Sequence, residues 1–455
     1  MEKGFFKGKK VLVMGLGRFG GGLDSALFAC STGAEVTVTD TASAETLKDT
    51  IVGIEHLDIT FHLGEHIADD FRQNDIVIVN PAVGPENRFL GIAEDAGLLV
   101  TSQMEIFFQL CRARIVGITG ANGKSTTTAL TAHLLDAGTA QGIISKVWLG
   151  GNIGERPLLT ELDEINPEDI VVLELSSFQL EQLGRIGKAP HASVITNLTP
   201  NHLDRHKTFD AYCLAKENIF RYQPLNADAP AFSLFNADDP ITASWFDRYR
   251  GQTGRNCLSF TTDDVPSQLA RAYTLVGKAN LSNLAAARKV ALHFGISDEL
   301  IESVLPDFKS LPHRLQLVAC IRDVSWYNDS IATTPPSAIA GLDAFEAPAI
   351  IIAGGYDKQL PFDELGEKIA QRARAAILIG TTAKKIAAAI EASPRRGDTI
   401  VRFASSMPEA VAFADEIAKP GDVVLLSPAC ASYDMFDNFR QRGDIFSDCV
   451  RTLEK

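Results

Sequence analysis

The sequence predicts an α/β protein of three consecutive domains, each built on a mostly parallel sheet. Three observations predict it. Short apolar runs rich in β-branched residues recur along the chain and end in Gly, Asn, Asp or Ser, as buried parallel strands do. Helical stretches separate these runs. Two of the strand ends open glycine loops, Gly15-Leu16-Gly17-Arg18-Phe19-Gly20 and Gly120-Ala121-Asn122-Gly123-Lys124-Ser125. At 455 residues the chain has room for about three domains of roughly 150 residues. Punctuation along the chain places them at 1–104, 105–310 and 311–455.

In the first domain, Val11 to Met14 reads as a strand that runs into the GxGxxG of Gly15, Gly17 and Gly20. A helix follows through Leu23, Leu27 and Phe28. Glu35 to Asp40 reads as a second strand, ending in an acid twenty residues after Gly20. Glycines here give a tight turn and close approach of phosphate, and the acid suits a ribose or its equivalent. The domain is therefore Rossmann-like, with Gly15, Gly17 and Asp40 as candidate nucleotide contacts. Ile76 to Val79 ends at Asn80-Pro81, again polar residues at the strand edge where open α/β sheets bind ligands.

The central domain starts near Glu105. Ile115 to Thr119 reads as a buried strand, and after Ser125 the pattern turns helical, with Leu130, Leu134 and Leu135 on one face. From Gly120 through Asn122 and Gly123 to Thr126, backbone N–H groups can face an anion; Lys124 neutralises it and the Ser125 hydroxyl can ligate Mg²⁺. Strict P-loop spacing would put glycine at Ile118, so this is a variant of the ATP-binding loop. Leu149 to Gly154 reads as a glycine-rich turn carrying one amide, Asn152. Ile170 to Gln179 reads as a buried strand with Glu174 inside its end, a costly place for a carboxylate unless it is paired or metal-bound. Glu174 is thus a candidate Mg²⁺ ligand.

Ala192 to Asn197 is a further strand and leads to His202, Asp204 and His206. Zinc is one reading of that trio; one histidine aiding a hard cation is the other, and it suits phosphate chemistry better. Lys216, within Ala211 to Asn218, reads on its own as a solvated helix lysine. Gly277 to Asn283 opens a helix with Asn280 and Asn283 on one face. In the third domain, Leu311-Pro312-His313-Arg314 marks the boundary, Asn328-Asp329-Ser330 follows an apolar run, and Ala349 to Ala353 ends at Gly354-Gly355-Tyr356-Asp357-Lys358. Ala376 to Gly380 and Val423 to Leu426 are further strands, the latter ending at Ser427 to Ser432, with a helix over Phe362 to Ala376.

A net charge of −14 argues against nucleic acid or an anionic membrane as partner, so anionic ligands must be held by local basic groups and amides. Seven scattered cysteines, with no CxxC, fit a reduced, cytoplasmic chain. No run approaches the ~20 apolar residues of a membrane span. The residues alone lead to an Mg²⁺-dependent enzyme with an NTP loop and a second nucleotide site. An NAD-dependent dehydrogenase rests only on the first domain. A nucleotide-gated binding protein would need fewer metal ligands than Glu174 and His202 offer.

Together these motifs resemble the Mur ligases, the ATP-dependent amide ligases of peptidoglycan precursor synthesis. The likeness rests on the loop Gly120 to Ser125, Gly150-Gly151-Asn152-Ile153-Gly154, Leu173 to Gln179, Leu311 to Arg314, Asn328-Asp329-Ser330, and the run Ser427 to Phe446. That last run is most similar to the branch that adds glutamate. The resemblance implies ligation of D-glutamate to UDP-N-acetylmuramoyl-L-alanine through an acyl phosphate, in a monomer using ATP and two Mg²⁺ ions. It implies that Lys124 holds the β/γ-phosphates, Ser125, Glu174 and His202 hold Mg²⁺, and Asn152 lies near the reacting carboxylate. Lys216 would be carbamylated by CO₂ and would so help fix a metal. Asn280, Arg314 and Asp329 would face ATP. Thr333, Lys358, Ser432 and Phe439 would face the amino acid. Arg18, Phe19, Asp40 and Thr41 would lie at the uridine diphosphate, which the first glycine loop would hold in place of NAD. Ala121 and Ala279 depart from the family's usual threonine and histidine, and Ile331 stands where the glutamate-adding branch commonly has a lysine. Ligation of L-glutamate, and a folylpolyglutamate-type ligase, are the neighbouring alternatives; the second leaves the Gly15–Gly20 domain without a role.

Overall fold

Parallel strands need crossover connections, and the alternation of apolar runs with helices supplies them. The computed structural model describes residues 2–17, 20–153, 157–394 and 397–453; Arg18, Phe19 and Gly154 lie outside them. The chain packs as two units, Met1–Leu269 with Ser282–Val304, and Ala270–Leu281 with Leu305–Lys455.

The first unit carries two sheets. One has five parallel strands in the order Ile59–Leu63, Glu35–Asp40, Lys10–Met14, Ile76–Val79, Leu99–Thr101. Its strand order reverses between Lys10–Met14 and Ile76–Val79, which is where such sheets bind ligands. The glycine loop follows the first of those strands and Asn80 the second. The other sheet has six strands in the order Arg255–Phe260, Ala231–Asn236, Ala192–Ile195, Arg114–Thr119, Ile170–Glu174, Val147–Gly151, all parallel. One continuous apolar cluster, from Phe6 and Phe28 through Phe107 and Leu173 to Phe235 and Trp245, underlies both sheets.

The second unit carries a six-stranded sheet in the order Gln316–Ile321, Val324–Asn328, Val423–Leu426, Ala349–Gly354, Ala373–Ile379, Ile400–Phe403. Its first pair is antiparallel and the rest parallel. Apolar clusters cover both faces, one around Ile351, Leu365 and Ile386, the other around Trp326, Ile352 and Phe446. The inner strands Val423–Leu426 and Ala349–Gly354 are continuously apolar because neither face meets water, whereas the edge strands Gln316–Ile321 and Ile400–Phe403 are partly exposed.

Three expectations change. Ile170 to Gln179 is not one strand: the strand stops at Glu174, and Ser176 caps a helix over Ser177–Arg185 through a capping box with Gln179. Its hydroxyl accepts from the Gln179 N–H at 3.2 Å while Gln179 Oε1 accepts from the Ser176 N–H at 2.9 Å, the reciprocal pairing that Ser-x-x-Gln encodes. The segment read as a glycine turn begins as a strand, Val147–Gly151. Lys216 is no surface lysine; it is 2% exposed.

Candidate active site

The central site forms at the C-terminal edges of four neighbouring strands, Ala192–Ile195, Arg114–Thr119, Ile170–Glu174 and Val147–Gly151. The loop after Arg114–Thr119 is braced by the adjoining strand end. The Ala121 N–H donates to the Asn197 carbonyl at 2.8 Å and the Asn122 N–H to Asn197 Oδ1 at 2.9 Å. Thr196 Oγ1 donates to the Asn122 carbonyl at 2.6 Å. The amides left for an anion are therefore those of the following helix, Lys124–Asp136, whose first-turn N–H groups, Ser125 and Thr126 among them, have no intrahelical acceptor. Gly123 is needed at the turn: its φ is +79°, and a Cβ would stand 2.4 Å from Asn283 Oδ1. At Gly120 a Cβ would fall 1.9 Å from Thr196 Oγ1. Lys124 folds over the loop, its Nζ donating to the Ala121 carbonyl at 2.9 Å. Ser125 is buried.

Glu174 is 2% exposed. Its Oε1 accepts from Asn152 Nδ2 at 3.0 Å, and its Oε2 is buried with no hydrogen-bond partner. A buried carboxylate oxygen in that condition is costly, and it suits a hard cation. Asn152 is held there by its own N–H, which donates to the Glu174 carbonyl at 2.8 Å. Gly151, with φ +85°, must be glycine because a Cβ would lie 2.2 Å from that carbonyl.

Lys216 comes from the helix Phe209–Arg221. Its Nζ donates to Thr119 Oγ1 at 3.0 Å and lies 4.9 Å from the centre of the Tyr212 ring. Burial, and then the charge of Lys124, hold this amine well below the usual lysine range. A neutral amine is a nucleophile, which an ammonium is not. His202 caps a short helix with φ +53°, an uncommon conformation for this residue type. The residue is exposed, and its ring meets Phe178 edge-on at 5.1 Å. Partial burial, then Lys216, lower its pKa, favouring the neutral imidazole that can ligate a metal. His206 is turned elsewhere: it pairs with Ser177 at 2.9 Å, and Asp204 is exposed. Among the described residues no group of three or more His, Cys, Asp or Glu side chains is placed to hold a metal.

At the switch point of the first sheet, Gly15 packs against Asn80, where a Cβ would meet Asn80 Cβ at 2.8 Å. Asp40 accepts from the Gly17 N–H at 3.1 Å and from the Ala42 N–H at 2.8 Å. It shapes the glycine loop as well as bordering it. Thr41 beside it is exposed. Arg18 and Phe19 lie outside the described residues.

In the second unit Asp329 is buried; that burial pushes its carboxyl up to about 7, against the opposing effect of hydrogen bonds from Ser427 Oγ at 2.9 Å and the Leu315 N–H at 3.2 Å. Arg314 and Thr333 are half-buried, and Lys358 is exposed. Ser432 is buried. The Phe439 carbonyl accepts from Ser330 Oγ at 2.7 Å, which ties Ser330 to the start of the helix Phe439–Thr452. Asn280 Nδ2 donates to the Val276 carbonyl at 2.8 Å. Sequence reasoning missed Thr119, Thr196, Asn197 and Asn283 as structural members of the central site. Thr196-Asn197 at the end of an apolar strand was the available signal.

Residues 118–273 match the Mur ligase middle domain, and residues 313–430 match the Mur ligase, glutamate ligase domain. A protein of Roseiflexus sp. (strain RS-1) named UDP-N-acetylmuramoylalanine--D-glutamate ligase is 40% identical, with 98% of this chain and 99% of that one covered. One of the same name from Acetivibrio thermocellus is 39% identical, over 98% of this chain and 97% of that one. Among solved structures, MurF ligase from Thermotoga maritima in complex with ADP superposes with a TM-score of 0.58 at 17% identity, covering 98% of this chain and 96% of that one, a likeness of fold. Two domain matches and identity at this level along nearly the whole length leave one assignment: the chain belongs to the Mur ligase family.

Proposed function

We propose that the protein is an ATP-dependent ligase of the cytoplasm that joins D-glutamate to UDP-N-acetylmuramoyl-L-alanine in peptidoglycan precursor synthesis. The observation that supports it best is the convergence, at adjacent strand ends, of a phosphate loop, a buried carboxylate with a partnerless oxygen and a buried lysine held towards neutrality. A binding protein gated by nucleotide has no use for the last two. The relatives named as D-glutamate ligases support the same substrates. The three domains are 1–104 for the uridine diphosphate, 105–310 for ATP and 311–455 for the amino acid.

The substrate carboxylate attacks the γ-phosphate of ATP, the bond from that phosphorus to the β–γ bridging oxygen breaks, and ADP leaves. A carboxylate is a poor acylating agent at neutral pH, and phosphorylation supplies the leaving group. The amide-lined start of the helix Lys124–Asp136 and the Lys124 ammonium offset charge that develops on the phosphoryl oxygens. Asn152, fixed by Glu174, orients the carboxylate. The amine of glutamate then attacks the acyl phosphate, an amide forms and phosphate leaves. Ser125, Glu174 and His202 would hold Mg²⁺, together with Lys216 once CO₂ has added to its neutral amine; when bound, the cation lowers repulsion between the two reacting anions. Gly120, Asn122, Gly123 and Thr126 shape the ATP loop, and Asn280, Arg314 and Asp329 serve the rest of the nucleotide. Gly15, Gly17, Asp40 and Thr41 serve the uridine diphosphate. Thr333, Lys358, Ser432 and Phe439 serve the amino acid.

Phosphate release from ATP tests this. It should require UDP-N-acetylmuramoyl-L-alanine and D-glutamate together. Full activity with L-glutamate in place of the D isomer, or none with either, would overturn the assignment.

A further inference from the structure

Arg442 is the fourth residue of the helix Phe439–Thr452 and is 0% exposed. The placement is unfavourable twice over. A cation near a helix N-terminus opposes the macrodipole, and a buried charge requires compensation. Its acceptors are all neutral: Nε donates to Ser330 Oγ at 3.0 Å, Nη1 to the Cys430 carbonyl at 3.0 Å, and Nη2 to the Ser330 carbonyl at 2.7 Å. Asp434 acts on it only at a distance, with its Oδ2 engaged by the Thr381 N–H at 2.8 Å. Burial lowers the guanidinium's pKa to about 10, so at neutral pH the charge stays.

The segments it touches are those that lead into the amino-acid contacts. Ser330 lies three residues before Thr333, and Cys430 two before Ser432. Gly355 lies three before Lys358 and packs against the Cys430–Ala431 segment; a Cβ there would stand 2.3 Å from the Ala431 carbonyl oxygen and only in ordinary contact, 3.4 Å, with Nη1. Phe439 lies one helical turn before Arg442 itself. One planar fork therefore ties the helix that begins at Phe439 to the Ser330 and Cys430 segments, something a lysine's point charge cannot do. The next residue after Ser330 is Ile331, an apolar side chain that brings no charge of its own.

We propose that Arg442 is a positioning and specificity residue for the incoming amino acid, bracing three of the segments that contact it and supplying the positive charge that favours an amino acid with a second carboxylate. The inference rests on the assignment of Thr333, Lys358, Ser432 and Phe439 to that substrate. An interior of low dielectric carries the guanidinium's field further than solvent would.

Wild type, Arg442→Lys and Arg442→Gln are compared for phosphate release with D-glutamate and with D-glutamine, with the melting temperature as a folding control. Arg442→Gln should raise the KM for D-glutamate about tenfold or more, leave the KM for ATP and for the uridine diphosphate substrate within about twofold, and erode the preference for D-glutamate over D-glutamine. Arg442→Lys should keep the preference while still raising the KM for D-glutamate. Equal losses for all three substrates, or an unchanged glutamate-to-glutamine ratio in Arg442→Gln, would overturn the proposal. If Arg442→Gln does not fold, Arg442→Lys decides alone: an unaltered KM for D-glutamate overturns the bracing role. Should wild type reject D-glutamate, the substrate reading fails first, and the same ratios are taken with whichever dicarboxylic amino acid supports turnover; if none does, both fail.

Discussion

Replacing Lys216 with methionine separates the cost of burying its amine from the use made of it. Methionine keeps an unbranched apolar stem in a place that is 2% exposed and removes the titrating group. Folding lowers the amine's pKa from the ordinary 10.5. Between those two values the unfolded chain therefore binds more protons than the folded one, and wild type gains stability as pH rises. The gain is about 1.4 kcal/mol per pH unit within that window, nothing below it and nothing above it. Lys216→Met lacks this dependence. It should be the more stable protein at neutral pH, and its advantage should shrink by about 1.4 kcal/mol per unit as pH climbs through the window towards 10.5. Urea unfolding at a series of pH values, followed by the fluorescence of the buried Trp148 and Trp245 in the same unit, measures the gap. Bicarbonate adds a second arm. A carbamate on the neutral amine would stabilise wild type by mass action and leave the variant unmoved, while ligase turnover in the variant falls by about a hundredfold or more. Wild type and variant running parallel across pH, or bicarbonate shifting both alike, would refute the reasoning.

Two further outcomes follow from single distances and one burial. Gly123→Ala forces a Cβ to within 2.4 Å of Asn283 Oδ1 at a φ of +79°; ATP affinity, measured by calorimetry, should fall about tenfold or more, as strain of about 1–3 kcal/mol is relieved only by moving the loop, and undiminished binding would show that the loop does not carry the phosphates. Asp329 has a carboxyl raised by burial to about 7, so its ionisation destabilises the folded second unit progressively from about pH 4 to pH 7 and by a constant amount above. Asp329→Asn should therefore gain on wild type across that interval, by up to about 4 kcal/mol if Ser427 turns its hydroxyl to accept; melting curves at pH 5 and pH 8 that show the same difference would contradict it.

Elements that depend on local pattern were legible in the residues. Glu35–Asp40, Ile76–Val79 and Val423–Leu426 fall where β-branched apolar runs end in polar residues, because a strand buried on both faces has no choice but to be apolar throughout. The glycine loops were legible for a related reason: only glycine tolerates the φ of +79° at Gly123 or +89° at Gly15, and such needs leave a fixed residue at a fixed spacing. Ser176 to Gln179 was misassigned because a capping box lies directly against a strand end, and its serines read as strand polarity until the helix is seen. Burial of single polar residues was not legible. Lys216 sits in a helix whose hydrophobic pattern is ordinary, and nothing within four residues of it reports that Thr119, nearly a hundred positions earlier, accepts a hydrogen bond from its amine. Arg442 is hidden in the same way, among exposed neighbours such as Arg440 and Gln441's polar turn.

The two buried features of the central site account for each other. Glu174 keeps one oxygen without a hydrogen-bond donor, although donors are cheap to provide and Asn152 is already spent on the other oxygen. Lys216 keeps a nitrogen under a desolvation cost that a leucine or methionine would avoid. Either one alone is a defect that substitution would repair. A hard cation takes six or more oxygen ligands, and the encoded side chains here offer Ser125 and Glu174 as oxygen donors, with no trio of His, Cys, Asp or Glu among the described residues to complete the shell. In the proposed ligase, nucleotide phosphates and a carboxylate made on Lys216 from CO₂ would supply what is missing, and the second of these requires the amine to be neutral. On that proposal the depressed lysine pKa and the partnerless carboxylate oxygen are two conditions of one cation site, so removing the amine of Lys216 should strengthen the fold and lower turnover together.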